Sequence, residues 1–147
     1  MRPVAREVTV VEEYFRREGV RLRIEAAFVF GSRAGEVARA DSDVDVAVVF
    51  SEEGAAESMF DRSNEVAQNL CRLLGADVDV VVLDRDFSRP MLAYNVIVQG
   101  IPVYVRDANN FLALRNEAMR QKEDFSRFGI GWQLEVARTK LERLGHA

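Results

Sequence analysis

The sequence has very few of the side chains that form disulfides, zinc sites and histidine-based catalytic centres. Among its 147 residues there is one cysteine, Cys71, and one histidine, His146. An intramolecular disulfide and a cysteine-rich zinc site are therefore excluded, and a histidine triad or a multi-histidine metal site is disfavoured. If the protein binds a metal ion, its ligands must be oxygen atoms, which favours magnesium or manganese.

Long apolar segments and an excess of basic charge are also missing. No segment approaches the ~20 consecutive apolar residues of a membrane span, and the first residues lack the apolar stretch of a signal peptide. We therefore expect a cytoplasmic protein that makes no contact with a membrane. The net charge of −4 disfavours a broad basic face for nucleic acid.

The composition that remains is that of one globular domain. Hydrophobic residues make up 48 % and charged residues 30 %, which is typical of a soluble chain with a real core. No internal repeat or Gly/Ser linker divides the sequence. We predict a single domain over residues 1–147, with its core at about 20–107 and a C-terminal helical extension at about 108–147.

Apolar periodicity predicts a small α/β (α+β) domain. The predicted order is helix, strand, loop, strand, helix, strand, helix, strand and C-terminal helices. The strands are predicted at 24–30, 43–50, 77–83 and 101–105, and the helices at about 3–19, 58–74, 88–98 and 110–144. Because the second and third strands are rich in valine on both faces, we expect helices on both sides of a mixed sheet of about four strands.

Four finer expectations concern the helices. Ser88 should cap the short helix that has Pro90 in its first turn. Gly129 and Gly131 should divide the C-terminal segment into two helices or kink a single one. Two further sets are expected in the core: the helix face of Phe60, Ala67, Leu70, Cys71 and Leu74, and the aromatic side chains Phe125, Phe128 and Trp132. If the C-terminal helices extend from the sheet, the aromatic set instead forms a partner-binding face.

Two aspartates begin the second predicted strand. Side chains alternate across a strand, so Asp43 and Asp45 project from one face, while Val44 and Val46 line the other. Two adjacent carboxylates at the head of an apolar strand repel each other. A divalent cation between them would remove that repulsion.

A third carboxylate comes from the next strand. If the second and third strands are neighbours, Asp79 joins Asp43 and Asp45, and the three hold one or two Mg²⁺ ions. Asp77 and Asp84 compete for the place of Asp79. For Asp43 and Asp45, the alternative is that they are exposed turn residues before a strand.

A glycine and a serine end the first predicted strand. Gly31 lets the backbone approach a ligand closely, and Ser32 offers a hydroxyl and an amide to a phosphate. Arg33 can add positive charge at the same phosphate. The turn is not a Walker A loop, since no Gly-Lys-Ser/Thr follows, and it lacks the glycine spacing of a dinucleotide-binding turn.

These residues carry a resemblance to a known family. Gly31-Ser32, ten residues and then Asp43-Val44-Asp45 resembles the signature of the DNA polymerase β nucleotidyltransferase superfamily, and of its minimal nucleotidyltransferases in particular. Asp79 matches the third carboxylate of that family. The resemblance covers about residues 24–107.

The resemblance implies transfer of a nucleoside monophosphate from a triphosphate such as ATP, with release of pyrophosphate. In that reading Gly31 and Ser32 hold the triphosphate, Asp43 and Asp45 bind Mg²⁺, and Asp79 binds metal and acts as the base. Many minimal members are antitoxins that add AMP to a tyrosine of a helical HEPN toxin, so the implied partner is such a toxin. The choice between a homo-oligomer and a hetero-oligomer stays open.

Two other functions remain open. A binding protein could neutralise its partner by contact alone, although three clustered acids are costly without a metal. Transfer to a small hydroxyl compound is a second alternative, but members with that activity are usually longer than this chain.

Overall fold

Helices and strands alternate along most of the chain. The computed structural model describes residues 3–31, 44–51 and 56–145, and within these ranges it contains four helices and four strands. In chain order they are α1 (Pro3–Glu18), β1 (Ile24–Phe30), β2 (Val44–Phe50), α2 (Ala56–Leu74), β3 (Val78–Val82), α3 (Pro90–Ile97), β4 (Ile101–Val105) and α4 (Ala108–Gly145).

The four strands form one mixed sheet in the order β3-β2-β1-β4. β1 pairs antiparallel with β2 on one side and with β4 on the other. β2 and β3 run parallel, because helix α2 carries the chain back to the starting end of β2. The prediction of a mixed four-stranded sheet is confirmed.

Helices cover both faces of this sheet. One face packs against α1 and α2 through a cluster that includes Phe15, Val46 and Leu70. The opposite face, with Phe28 and Ala47, packs against α3 and the first part of α4. This two-sided cover explains why the central strands carry apolar residues in almost every position.

Helix α4 corrects one of the two alternatives predicted for the C-terminal segment, and the kink stays a prediction. It runs without interruption for 38 residues, so Gly129 and Gly131 do not divide it into two helices. Each glycine costs a helix only about 1 kcal/mol relative to alanine, which is too little to end a helix by itself. Phe125 is 45 % exposed, so its predicted place in the core is wrong. The side chains of Phe128 and Trp132 lie outside the described ones, and their place in the core stays a prediction. Within the described ranges, no helix has both the length and the apolar character needed to cross a membrane.

Ser88 does not cap helix α3 as predicted. The N-cap is Arg89, which makes no side-chain capping bond, and Pro90 begins the helix. The Ser88 hydroxyl instead donates to Asp84 Oδ1 at 2.7 Å. A charged acceptor in the preceding turn forms a stronger hydrogen bond than a neutral one would, so it holds the hydroxyl away from the helix.

The buried stripe of helix α2 also differs from the prediction by one position. Val66 and Leu70 are fully buried and Met59 packs against them, whereas Phe60 is 64 % exposed. Cys71 is half-buried against the same cluster, as expected for a small apolar residue. The helical repeat that joins Met59, Val66 and Leu70 leaves Phe60 on the neighbouring, solvent-facing side.

This difference can be tested by unfolding. We expect Leu70→Ala to lower the free energy of unfolding by about 2–5 kcal/mol, because it leaves a cavity in the core. The matched change Phe60→Ala, on the same helix, should cost less than about 1 kcal/mol. Urea titrations followed by circular dichroism measure both, and an equal cost for the two changes would contradict the burial described here.

Candidate functional site

Two of the predicted carboxylates are direct neighbours in the sheet. Asp45 of β2 and Asp79 of β3 are register partners in the parallel pair, so their side chains lie on the same face, on strands ~4.8 Å apart. That face is the one that α3 and α4 cover further along, since Ala47 and Val49 follow Asp45 on it. Asp45 is half-buried, and Asp79 is exposed on the edge strand.

The antiparallel partner of β2 brings the glycine to the same place. Phe30, at the end of β1, is the register partner of Asp45 at the start of β2. Gly31 follows directly and leaves the strand. The sheet topology therefore places the end of β1 next to the beginnings of β2 and β3, at one end of the strands. Gly31 and Asp79 meet there although they are far apart in sequence.

Gly31 has a backbone conformation that few other residues adopt. Its φ is +79°, in the left-handed region where a Cβ atom is strained. A Cβ at Gly31 would also overlap with Asp45 Oδ2 and lie 3.2 Å from Asp45 Cγ. The absence of a side chain is thus what allows the backbone at Gly31 to lie against the Asp45 carboxylate.

Three of the predicted site residues are not among those that the structure describes. Ser32, Arg33 and Asp43 lie outside the described residues, so their predicted roles stay predictions. In the ranges that are described, no three or more acidic, histidine or cysteine side chains lie close enough together to hold a metal ion. Two of the three predicted carboxylates, Asp45 and Asp79, are in those ranges, and they are brought together.

The two competing acids have other surroundings. Asp77 is exposed and precedes β3, where its backbone carbonyl accepts a hydrogen bond from Val44 N at 3.0 Å. Asp84 follows the opposite end of β3 and accepts hydrogen bonds from Ser88 N and Oγ. Partial burial raises the pKa of Asp84, but the bonds from Ser88 outweigh it and hold that pKa below its ordinary value.

One unusual carboxylate was not among the predicted site residues. Glu25 lies at the start of β1 and is only 8 % exposed. An acid inside the apolar run Ile24–Phe30 was the available signal. It lies at the opposite end of β1 from Gly31, so it belongs to a different part of the surface.

The sequence matches one family of known proteins over most of its core. Residues 11–109 match the family model described as polymerase beta, nucleotidyltransferase. That range contains all four strands and ends at the beginning of α4. No curated protein matches the sequence at a significant level.

Solved structures share the fold. A toxin–antitoxin structure with AMP-PNP matches with a TM-score of 0.62 and 19 % identity, over 82 % of this chain and 97 % of that one. The MntA-HepT toxin–antitoxin structure matches with a TM-score of 0.58 and 18 % identity, over 85 % and 98 %. A tri-AMPylated Shewanella oneidensis HEPN toxin in complex with MNT antitoxin matches with a TM-score of 0.57 and 17 % identity, over 86 % and 98 %.

The contact between Gly31 and Asp45 can be tested with a matched pair of glycines. Gly75 also has positive φ, +63°, but a Cβ there would meet nothing within 4 Å. Alanine at either position should therefore cost about 1–2 kcal/mol of unfolding free energy. Only Gly31→Ala should also displace the Asp45 carboxylate, which the Asp45 Cγ resonance would report in carbon NMR spectra. An unmoved resonance in Gly31→Ala would contradict the contact.

The pH dependence of stability should report the Asp84–Ser88 contact. The folded-state pKa of Asp84 lies below its ordinary value of 3.8, so its charge stabilises the fold above that value. This contribution is lost as the pH falls through the folded-state pKa. Asp84→Asn should therefore lower the free energy of unfolding at pH 7 more than at pH 3. The exposed neighbour Asp86→Asn is the control, and an equal pH dependence for both variants would contradict the assignment.

Proposed function

Because the chain belongs to the polymerase β nucleotidyltransferase family, we propose that it transfers AMP from ATP to a hydroxyl group of a protein in the cytoplasm. The observation that carries this proposal is the pairing of Asp45 with Asp79 beside Gly31. The acidic side chains on two neighbouring strands would bind a metal ion. Gly31, which lies next to them and has no side chain, would let a phosphate come close to the backbone at the same end of the sheet.

The residues present fit a divalent cation. Asp45 and Asp79 are same-face neighbours, and two such carboxylates repel each other unless a cation lies between them. Their oxygen atoms are the ligands that Mg²⁺ prefers. We propose that Asp43, Asp45 and Asp79 hold Mg²⁺, which would neutralise charge on the triphosphate. Asp43 precedes Val44 by one residue, so the alternation of β2 supports its place beside Asp45.

The triphosphate would lie at the end of β1. Gly31 allows close approach of the backbone, since no side chain projects there toward Asp45. We propose that Ser32 donates its hydroxyl and amide to phosphate oxygens and that the Arg33 guanidinium pairs with them. These donors counter the repulsion between a triphosphate and the aspartates.

The transfer itself requires one displacement at the α-phosphorus. The acceptor hydroxyl oxygen forms a bond to this phosphorus, the bond to the oxygen that bridges to the β-phosphate breaks, and pyrophosphate leaves. We propose that the Asp79 carboxylate takes the hydroxyl proton. Its exposure on the edge strand β3 supports this role, because a protein-sized acceptor can approach it from solvent.

A HEPN toxin is the proposed acceptor and partner. The similar structures include complexes of MntA with HepT and of MNT antitoxin with a tri-AMPylated HEPN toxin. The chain has the fold found in those complexes, and it covers nearly the whole length of the matched chains. We propose that it is an antitoxin that adds AMP to a tyrosine hydroxyl of such a toxin.

Transfer of labelled AMP tests the proposal. Purified protein, Mg²⁺ and ATP labelled at the α-phosphate are incubated with a HEPN toxin. We expect label on that protein, and we expect Asp45→Asn and Asp79→Asn each to lower the rate at least about 100-fold. Asp77→Asn and Asp84→Asn are matched controls, because those acids lie outside the paired site, and they should retain most of the rate.

Two other results would replace this function with another. If Asp43→Asn/Asp45→Asn still neutralises the toxin in a stable complex, neutralisation works by contact. If label appears only on small hydroxyl compounds, the acceptor is not a protein. If Asp77→Asn loses activity while Asp79→Asn keeps it, the third carboxylate is Asp77 and the assignment to Asp79 is wrong.

A further inference from the structure

Strand β3 forms one edge of the sheet, and its backbone groups alternate between an inner and an outer side. Val44 N donates to Asp77 O at 3.0 Å, and Leu83 N donates to Val48 O at 2.9 Å. These two bonds and the register of the parallel pair fix which residues of β3 turn toward β2, because successive residues of a strand turn to opposite sides. The N–H and C=O groups that point away from β2 are those of Val78, Val80 and Val82.

The outer side of β3 is covered at the end that lies far from Asp79. There the Arg89 guanidinium donates to Val82 O at 3.3 Å. Among the residues that the structure describes, no other group hydrogen-bonds to Val78 or Val80 on this outer side. Val80 is only half-buried, so solvent reaches these groups. Unpaired backbone groups along an edge strand are a template for pairing with another chain.

The opposite edge of the sheet, β4, is built differently. It contains Pro102, which has no N–H to donate, and prolines on an edge strand block the addition of a further strand. Its pairing with β1 also changes register between Ala27 and Phe28. β3 contains neither proline nor lysine, and its register with β2 is regular. Of the two edges, β3 is therefore the one that can accept an added strand.

A strand added to β3 would place one of its side chains beside Asp79. The outward groups of Val78 and Val80 flank Asp79 in sequence, so the residue opposite Asp79 would project to the same face of the sheet. Side chains directly opposite each other on two strands have Cβ atoms about 5 Å apart, and aromatic side chains also reach the diagonal neighbour. A serine, threonine or tyrosine hydroxyl at such a position lies within reach of the Asp79 carboxylate.

The charges at this edge favour a foreign segment over a second copy of the chain. Asp77 and Asp79 are both exposed. Two β3 edges paired with each other would bring the acids of both copies together on one short interface, and like charges on facing strands repel. A segment without acidic side chains avoids this repulsion. Main-chain hydrogen bonds would then supply its affinity, as in other cases of strand addition.

We propose that the acceptor protein presents its hydroxyl on an extended segment that pairs with the outer side of β3. The proposal rests on the proposed function, because Asp79 is the base of that transfer. It adds how the acceptor is held: the backbone groups of Val78 and Val80 bind the segment, and a residue beside Asp79 receives AMP. In a helical toxin, such a segment would be a loop or a chain end.

Amide hydrogen exchange of the full chain tests this pairing. The protein is mixed with a HEPN toxin, Mg²⁺ and α,β-methylene-ATP, whose AMP group cannot be transferred. We expect the amides of Val78 and Val80 to exchange at least about tenfold more slowly in this mixture than in the chain with the nucleotide alone. Asp79 and Val81 are internal controls, because their amides turn toward β2 and should change less.

Proline substitutions on the two edges provide a matched pair of variants. Val80→Pro removes an outward N–H and places a ring on the β3 edge, a position that a strand tolerates. Transfer of AMP to the toxin should fall at least about tenfold, while binding of α,β-methylene-ATP stays unchanged. Val105→Pro on β4 is the control. Arg106 N donates to Glu25 O, so the N–H of Val105 faces away from β1, and transfer should stay unchanged.

The outcomes separate this pairing from the proposed function. If AMP is transferred to the toxin but the amides of Val78 and Val80 gain no protection, the pairing is wrong and the proposed function stands. Full transfer by folded Val80→Pro has the same meaning. If the toxin neither binds nor receives AMP, the proposed function fails and the pairing fails with it. Should Val80→Pro not fold, the exchange measurement on the unchanged chain decides by itself.

Discussion

The position of β2 between one antiparallel and one parallel neighbour is the constraint on which the site depends. Antiparallel pairing with β1 places Phe30 opposite Asp45, and parallel pairing with β3 places Asp79 beside it. A shift of either register by one residue would turn a whole strand over and send its acid to the other face. The two-sided apolar core prevents this shift, because each face of β2 fits a different pair of helices.

The same core sets the electrostatic character of the site. Val44 and Val46, on either side of Asp45 in sequence, are fully buried against α1 and α2, so the strand cannot rotate to separate the Asp45 and Asp79 carboxylates. The fold therefore keeps these two acids on neighbouring strands, and the proposed cation would offset the negative charge that they bring to this end of the sheet. Gly31 contributes in a different way: it adds no charge, but it leaves space for the Asp45 carboxylate.

The order of the elements and the adjacency of Asp45 and Asp79 were predictable from sequence. Compact apolar, valine-rich runs identified the strands, and adjacency of the second and third strands was the condition under which Asp79 would join Asp45. The positive φ of Gly31 and its closeness to Asp45 were not predictable, because they depend on how β1 ends against β2. Ser88 and Phe60 were misplaced for a related reason: Asp84 competes for the serine hydroxyl, and a one-residue rotation decides which side of α2 is buried. Glu25 was missed because Ile24–Phe30 was taken as one apolar run, and the bulge at Glu25 depends on how β1 pairs with β2.

Helix α4 changes the shape of the molecule more than its core. Among its described side chains, Phe111, Leu114 and Ala118 are the ones that join the apolar cluster beneath α3. The helix then continues to Gly145, about 40 Å beyond the last of these contacts at 1.5 Å per residue. A partner bound near Gly145 would therefore lie farther from the core than the sheet is wide. A small change in the tilt of α4 would move that partner by several ångströms.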